Sequence, residues 1–148
     1  MNTQLDRAIQ LAADARARGD HPFGALLLFP DGTTIEALNS VVTTGDPTGH
    51  AETNLVRQAA ASGRSLEGSI LYTSTEPCAM CSGAIYWADI RHVVFALSEQ
   101  GLAELVGGAE PTMDLPCREV FARGGHPVTV EGPFDLPAAS DVHRGFWG

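Results

Sequence analysis

Three consecutive stretches decide the fold: residues 69–74 read SILYTS, residues 77–87 read PCAMCSGAIYW, and residues 91–97 read RHVVFAL. The first and third are short apolar runs of the kind that form buried strands. Between them Met80, Gly83, Ala84 and Trp87 recur at helical spacing, and Pro77 suits the opening of a helix because its missing N–H is not needed there. Strand, helix and strand in this order make an α/β pattern.

The pattern extends in both directions. Upstream, residues 25–29 (ALLLF) read as a buried strand, and Pro30, Asp31 and Gly32 turn the chain into a second strand over 34–42. The loop TTGDPTG then delivers His50 to the start of a helix that runs to about Ala61 and ends before Gly63. The N-terminal segment reads as an amphipathic helix with Leu5, Ala8, Ile9 and Ala12 on one face. Downstream, helices are expected over 99–106, around LPCREVFARGG and over 138–147, with a last short strand over 128–130. Together these predict one domain over 1–148, an α/β fold. Its expected form is a three-layer α/β/α sandwich around a mixed five-stranded sheet.

Composition narrows the function. The chain has 148 residues, 44 % of them hydrophobic and 18 % charged, which suits a globular domain. No apolar run approaches the roughly 20 residues that span a bilayer. The N-terminus lacks the apolar core and small-residue cleavage site of a secretory signal, so a cytoplasmic protein with no membrane partner is expected. Net charge is −9, with nine Arg and no Lys, which disfavours a nucleic acid as substrate. Three cysteines without a signal point away from a disulfide scaffold and toward metal or redox chemistry.

The chemistry is carried by His50-Ala51-Glu52 and, one strand later, Pro77-Cys78-Ala79-Met80-Cys81. One imidazole and two thiolates supply three ligands to zinc, and a catalytic zinc keeps a fourth position open for water. Both groups fall at expected helix N-termini, where free N–H groups favour thiolate over thiol. Glu52, in the first turn beside His50, is the natural proton carrier. A lone C-x-x-C also suits redox sites and structural zinc. A structural zinc needs four protein ligands, and no second C-x-x-C completes the set. The redox reading lacks an aromatic residue before the first cysteine. Outside the enzymes, the alternative is a non-catalytic zinc-binding protein.

This H-x-E and P-C-x-x-C pair resembles the signature of the cytidine-deaminase-like zinc deaminases. The resemblance implies one Zn²⁺ held by His50, Cys78 and Cys81, with Glu52 as proton shuttle in a hydrolytic deamination. The stretch from Asn39 to Glu52 (NSVVTTGDPTGHAE) is similar to the segment before the zinc histidine in bacterial guanine deaminases. PFGA at 22–25, LYTS-x-EPC at 71–78 and GAIYWA at 83–88 match the same family. It implies a free nucleobase or related amino-heterocycle as substrate, with a guanine-type ring first. Cytosine deaminase and transfer-RNA adenosine deaminase are the alternatives. It further implies that Asn39 hydrogen-bonds the ring, that Phe23 and Trp87 wall the pocket, and that the protein is a homodimer. Ser74 is a further candidate contact. The chain's ending, DVHRGFWG, is similar in general character to the aromatic C-terminal lid of fungal cytosine deaminases. Trp147 is a candidate cover over the substrate, and Asp141 and Asp114 are each a candidate reader of an exocyclic amine or else an exposed carboxylate. His21, His92, His126 and His143 read as surface or core histidines, His21 lying nearest the PFGA loop. Cys117 reads as a small buried hydrophobe.

Overall fold

The computed structural model describes residues 2–148. Helix α1 (Thr3–Ala17) is capped by the Asn2 side chain, which accepts from Leu5 N, and it buries the stripe of Leu5, Ala8, Ile9, Leu11, Ala12 and Ala15. Strands β1 (Gly24–Leu28) and β2 (Thr34–Leu38) form the expected hairpin. A short helix α2 (Val41–Thr44) and helix α3 (Ala51–Ala61) follow. Then come β3 (Ile70–Thr75), α4 (Ala79–Trp87) and β4 (His92–Leu97), as the deciding stretches required. The chain ends with α5 (Glu99–Val106), α6 (Cys117–Ala122), β5 (Thr129–Glu131) and α7 (Pro137–Asp141).

The sheet is five-stranded and mixed, in the order β2-β1-β3-β4-β5. β1 runs antiparallel to β2 and β3, whereas β3, β4 and β5 are parallel. Alternation along β4 shows how the layers are built. Val93 and Phe95 join Leu55, Ile85 and Phe121 on the side of α3, α4 and α6. Val94 and Ala96 face Leu5, Ile9 and Ala139 on the side of α1 and α7. A strand buried on both faces reads as a continuous apolar run, which is why RHVVFAL was legible. Gly24 marks the closest approach of the layers: a Cβ there would lie 2.5 Å from Ala12 N and Ala8 O of α1. No helix among the described residues is long and apolar enough to cross a membrane.

Two boundaries differ from expectation. The second strand ends at Leu38, because the Asn39 Oδ1 accepts from Val41 N at 3.0 Å and bends the chain into α2. The last helix stops at Asp141, and Gly145, at φ +73°, turns the chain so that Trp147 lies outside any helix.

One carboxylate organises the far end of the sheet. Glu76, buried just past β3, accepts from Glu99 N at 2.9 Å and from Cys117 N at 2.8 Å. These are the first N–H groups of α5 and α6, so a single side chain caps both helices and a negative charge meets two positive helix ends. Replacing it with alanine leaves two buried N–H groups without acceptors. Glu76→Ala is expected to lower unfolding free energy by about 2–4 kcal/mol in urea titrations. A change within about 0.5 kcal/mol would mean that water replaces the carboxylate without loss.

Candidate active site

Two helices begin side by side below the end of β3. His50 is the residue before α3 and Cys78 the residue before α4, both in extended conformation. Cys81 sits in the first turn of α4, fully buried. The His50 Nδ1 lies 3.5 Å from Cys78 Sγ and 3.7 Å from Cys81 Sγ, and all three donor atoms fall within 4.8 Å of one another. Zinc bonded at about 2.3 Å to sulfur and about 2.0 Å to nitrogen, at tetrahedral angles, separates such donors by roughly 3.6 Å. The group therefore fits a zinc ion in both donor chemistry and spacing. The Thr53 hydroxyl lies 3.2 Å from Cys81 Sγ and fixes the buried sulfur from behind.

Electrostatics supports the same reading. A hydrogen bond from Cys81, aided by His50, pulls the Cys78 thiol down to about 4, against the effect of burial. The hydrogen bond to Cys78 and burial hold Cys81 up. Glu52 is 6 % exposed, and burial followed by the nearby Cys78 charge pushes its carboxyl up to about 8. Glu99 is pushed up to about 7 by burial, then by Cys78 and Glu76. Negative charge is thus crowded at one point, which is where a dication is most stabilising.

The donors open into a cavity of about 460 Å³. His50, Glu52, Thr75 and Cys78 lie at one end of it. His21, Phe23 and Trp147 form an aromatic side, with Trp147 and His21 ring centroids 5.0 Å apart. Val41 and Pro47 contribute from the loop before His50, and Glu99, Leu102, Val106, Glu110 and Met113 from α5 and the segment after it.

A buried acid sets the loop that carries His50. Asp20 accepts from Thr43 N at 2.8 Å, from the Thr43 hydroxyl and from Arg18 Nε at 2.7 Å. Burial pushes its carboxyl up, and these bonds outweigh burial to leave it lowered. Arg18 also donates to the Asn39 carbonyl at 2.9 Å. Two threonines of the VTT and DPT stretches therefore have structural work: Thr43 satisfies Asp20, and Thr48 donates through N and Oγ1 to Asp46 Oδ1.

Of the expected site residues, the structure brings together His50, Glu52, Cys78, Cys81, Phe23 and Trp147. Asn39 is buried between Phe23 and Val41: its N–H donates to the Phe23 carbonyl and its side-chain oxygen accepts from Val41 N. Three expectations are corrected. Trp87 is 84 % exposed, because α4 turns Cys81, Ser82 and Ile85 inward and Trp87, two positions past Ile85, points outward. Ser74 is buried on the opposite side of β3 from the cavity-lining Thr75, and its Oγ accepts from Gly24 N at 3.2 Å. Asp141 is exposed at the end of α7 and pairs with Arg144. Asp114 is likewise exposed. Sequence reasoning missed Thr75, Glu99, Glu110 and Met113. Strand parity past Ser74 would have found Thr75, whereas no spacing rule marks the others.

Comparison with known proteins bears on the whole arrangement. The profile of the cytidine and deoxycytidylate deaminase zinc-binding region matches residues 2–97. A probable cytosine deaminase of Schizosaccharomyces pombe is 41 % identical over 145 residues, covering 97 % of this chain and 90 % of the relative. The guanine deaminase of Bacillus subtilis is 42 % identical over 105 residues, covering 69 % of this chain and 67 % of that one. A solved guanine deaminase from Nitrosomonas europaea superposes with TM-score 0.77 at 27 % identity, over 95 % of this chain and 81 % of that chain. A zinc-binding profile that runs through α3, α4 and β4 takes in His50, Glu52, Cys78 and Cys81, and the chain belongs to the cytidine and deoxycytidylate deaminase family.

Proposed function

We propose that the protein is a hydrolytic deaminase of a free nucleobase, exchanging a ring amine for oxygen and releasing ammonia. The observation that carries this reading is Glu52, a buried carboxyl beside three clustered metal donors at the end of a cavity. His50, Cys78 and Cys81 would hold zinc, which when bound supplies a polarised water as nucleophile. Glu52 takes one proton of the attacking water on its carboxylate and delivers it to the adjacent ring nitrogen, then takes the remaining hydroxyl proton of the adduct and passes it to the leaving amine. The Phe23, His21 and Trp147 rings exclude water from one side of the base and offer it apolar and edge contacts. Asn39, held between Phe23 and Val41, is the proposed ring-reading amide.

Two observations bear on the ring. The segment from Asn39 to Glu52 favours a guanine-type base. The relative that is 41 % identical over 145 residues carries the cytosine name, which favours a pyrimidine. We place cytosine ahead of guanine because that alignment covers 97 % of this chain, against 69 % for the guanine deaminase, reversing the order that the central motif alone supports. Net charge −9 keeps an RNA substrate behind both. The homodimer remains part of the proposal. Trp87 and Met80, exposed on α4, supply an apolar face of the kind that a second copy covers.

Ammonia release by zinc-loaded protein is expected with cytosine, then guanine, and not with transfer RNA. Turnover of RNA alone would overturn the free-base reading. Glu52→Gln is expected to keep stoichiometric zinc by elemental analysis while losing about 10³-fold or more in kcat. Unchanged turnover would remove Glu52 from the mechanism. Trp87→Glu is expected to shift the protein toward monomer in light scattering, and an unshifted mass would place the dimer face elsewhere.

A further inference from the structure

The C-terminal segment is held by more than apolar packing. Arg16, in the last turn of α1, donates through Nη1 to the carbonyls of Val142 and Arg144 at 2.8 and 2.7 Å, and its guanidinium lies 5.6 Å from the centre of the Phe146 ring. This clamp sets the backbone on both sides of His143. The imidazole between these anchors is 2 % exposed and packs edge-on against Phe23, centroids 5.2 Å apart. Its Nδ1 accepts from the Trp147 indole N–H at 3.1 Å, with the two ring planes only 15° apart. Phe23 and Trp147 line the cavity, and His143 stands behind both.

We propose that His143 is a positioning residue, whose Nδ1 lone pair fixes the Trp147 indole as the aromatic wall of the cavity. The inference rests on the nucleobase reading given above. It goes beyond packing because the imidazole is a poor choice for packing alone. Its Nε2 is buried with no hydrogen-bond partner, a cost that a phenyl or leucyl side chain in the same place would avoid. What imidazole offers instead is an acceptor on the Trp147 side. Burial, followed by the Arg16 charge, pushes His143 down to about 4, so the ring is neutral and that lone pair is available. An indole N–H left without an acceptor would instead turn toward water, and the wall would turn with it.

The test uses the full-length, zinc-loaded protein in a Trp87→Phe background, so that Trp147 is the only tryptophan. His143→Phe removes the acceptor and keeps the volume; His143→Asn returns an acceptor oxygen near the Nδ1 position. For the base that the parent protein turns over, His143→Phe is expected to raise KM about tenfold with a smaller change in kcat. It is also expected to red-shift Trp147 emission, and His143→Asn to restore most of both. A lowered Tm with KM and emission unchanged would overturn the proposal and leave His143 a packing residue. If His143→Phe does not fold, His143→Leu, which also removes the acceptor, is paired with Trp147→Phe instead. The two changes should be non-additive in KM, and additive effects would overturn the coupling. The emission shift is read without substrate, so a parent protein inactive on every base would sink the functional reading while the His143–Trp147 coupling is still decided.

Discussion

Two helices, α3 and α4, start at the same point beneath the end of β3, and the rest of the site depends on that coincidence. Side chains just before or within a first turn project beyond the helix end, so His50, Cys78 and Cys81 converge although 28 residues separate His50 from Cys78. The free N–H groups of both helices face the donors, favouring thiolate at Cys78. Glu52 shares the first turn of α3 and reaches the same cavity from two residues along. Core packing enforces the arrangement: Ala51 and Leu55 of α3 and Ile85 of α4 belong to one buried cluster with Leu71, Val93 and Phe95 of the sheet. A shift of either helix by one turn, about 5.4 Å, would separate the donors beyond any metal's reach.

That convergence carries an electrostatic burden. Glu52 and Glu99 both have raised proton affinity, burial being the first cause and the Cys78 charge the next. Without a cation the site relieves this crowding by holding protons; a bound dication would release them. Metal binding, proton inventory and fold stability are thereby linked at one place, as they are at metal sites generally.

The parts of this design that were legible in the sequence are those set by local rules. The donor spacing, the strand–helix–strand order and the amphipathic stripe of α1 each follow from a period or a motif, and the five strands and mixed sheet came with them. The errors came where a single side-chain contact overrides a period. Asn39 bends the chain at what read as continuing strand, and Ser74 and Thr75 differ only in strand parity. Trp87 looked like an inner residue because α4 is apolar nearly all round, so hydrophobicity alone did not mark its buried face. The cavity side formed by α5 and the segment after it was illegible for another reason. Residues 107–113 have no secondary structure to impose a period, and their place over the cavity is decided by Glu76, which lies far away in sequence.

The double grip of Glu76 has a consequence for how such a protein changes over generations. The segment between Glu99 and Cys117 leaves and returns at one carboxylate, so it is a loop already closed at its base. The entropy of closing a loop grows only logarithmically with its length, so residues gained or lost in the irregular stretch between α5 and α6 cost little stability. None of the candidate metal donors lies inside the loop, whereas Leu102, Val106, Glu110 and Met113, which line the cavity, all do. Selection can therefore recut this side of the cavity as an exchangeable cassette while His50, Cys78 and Cys81 stay where they are.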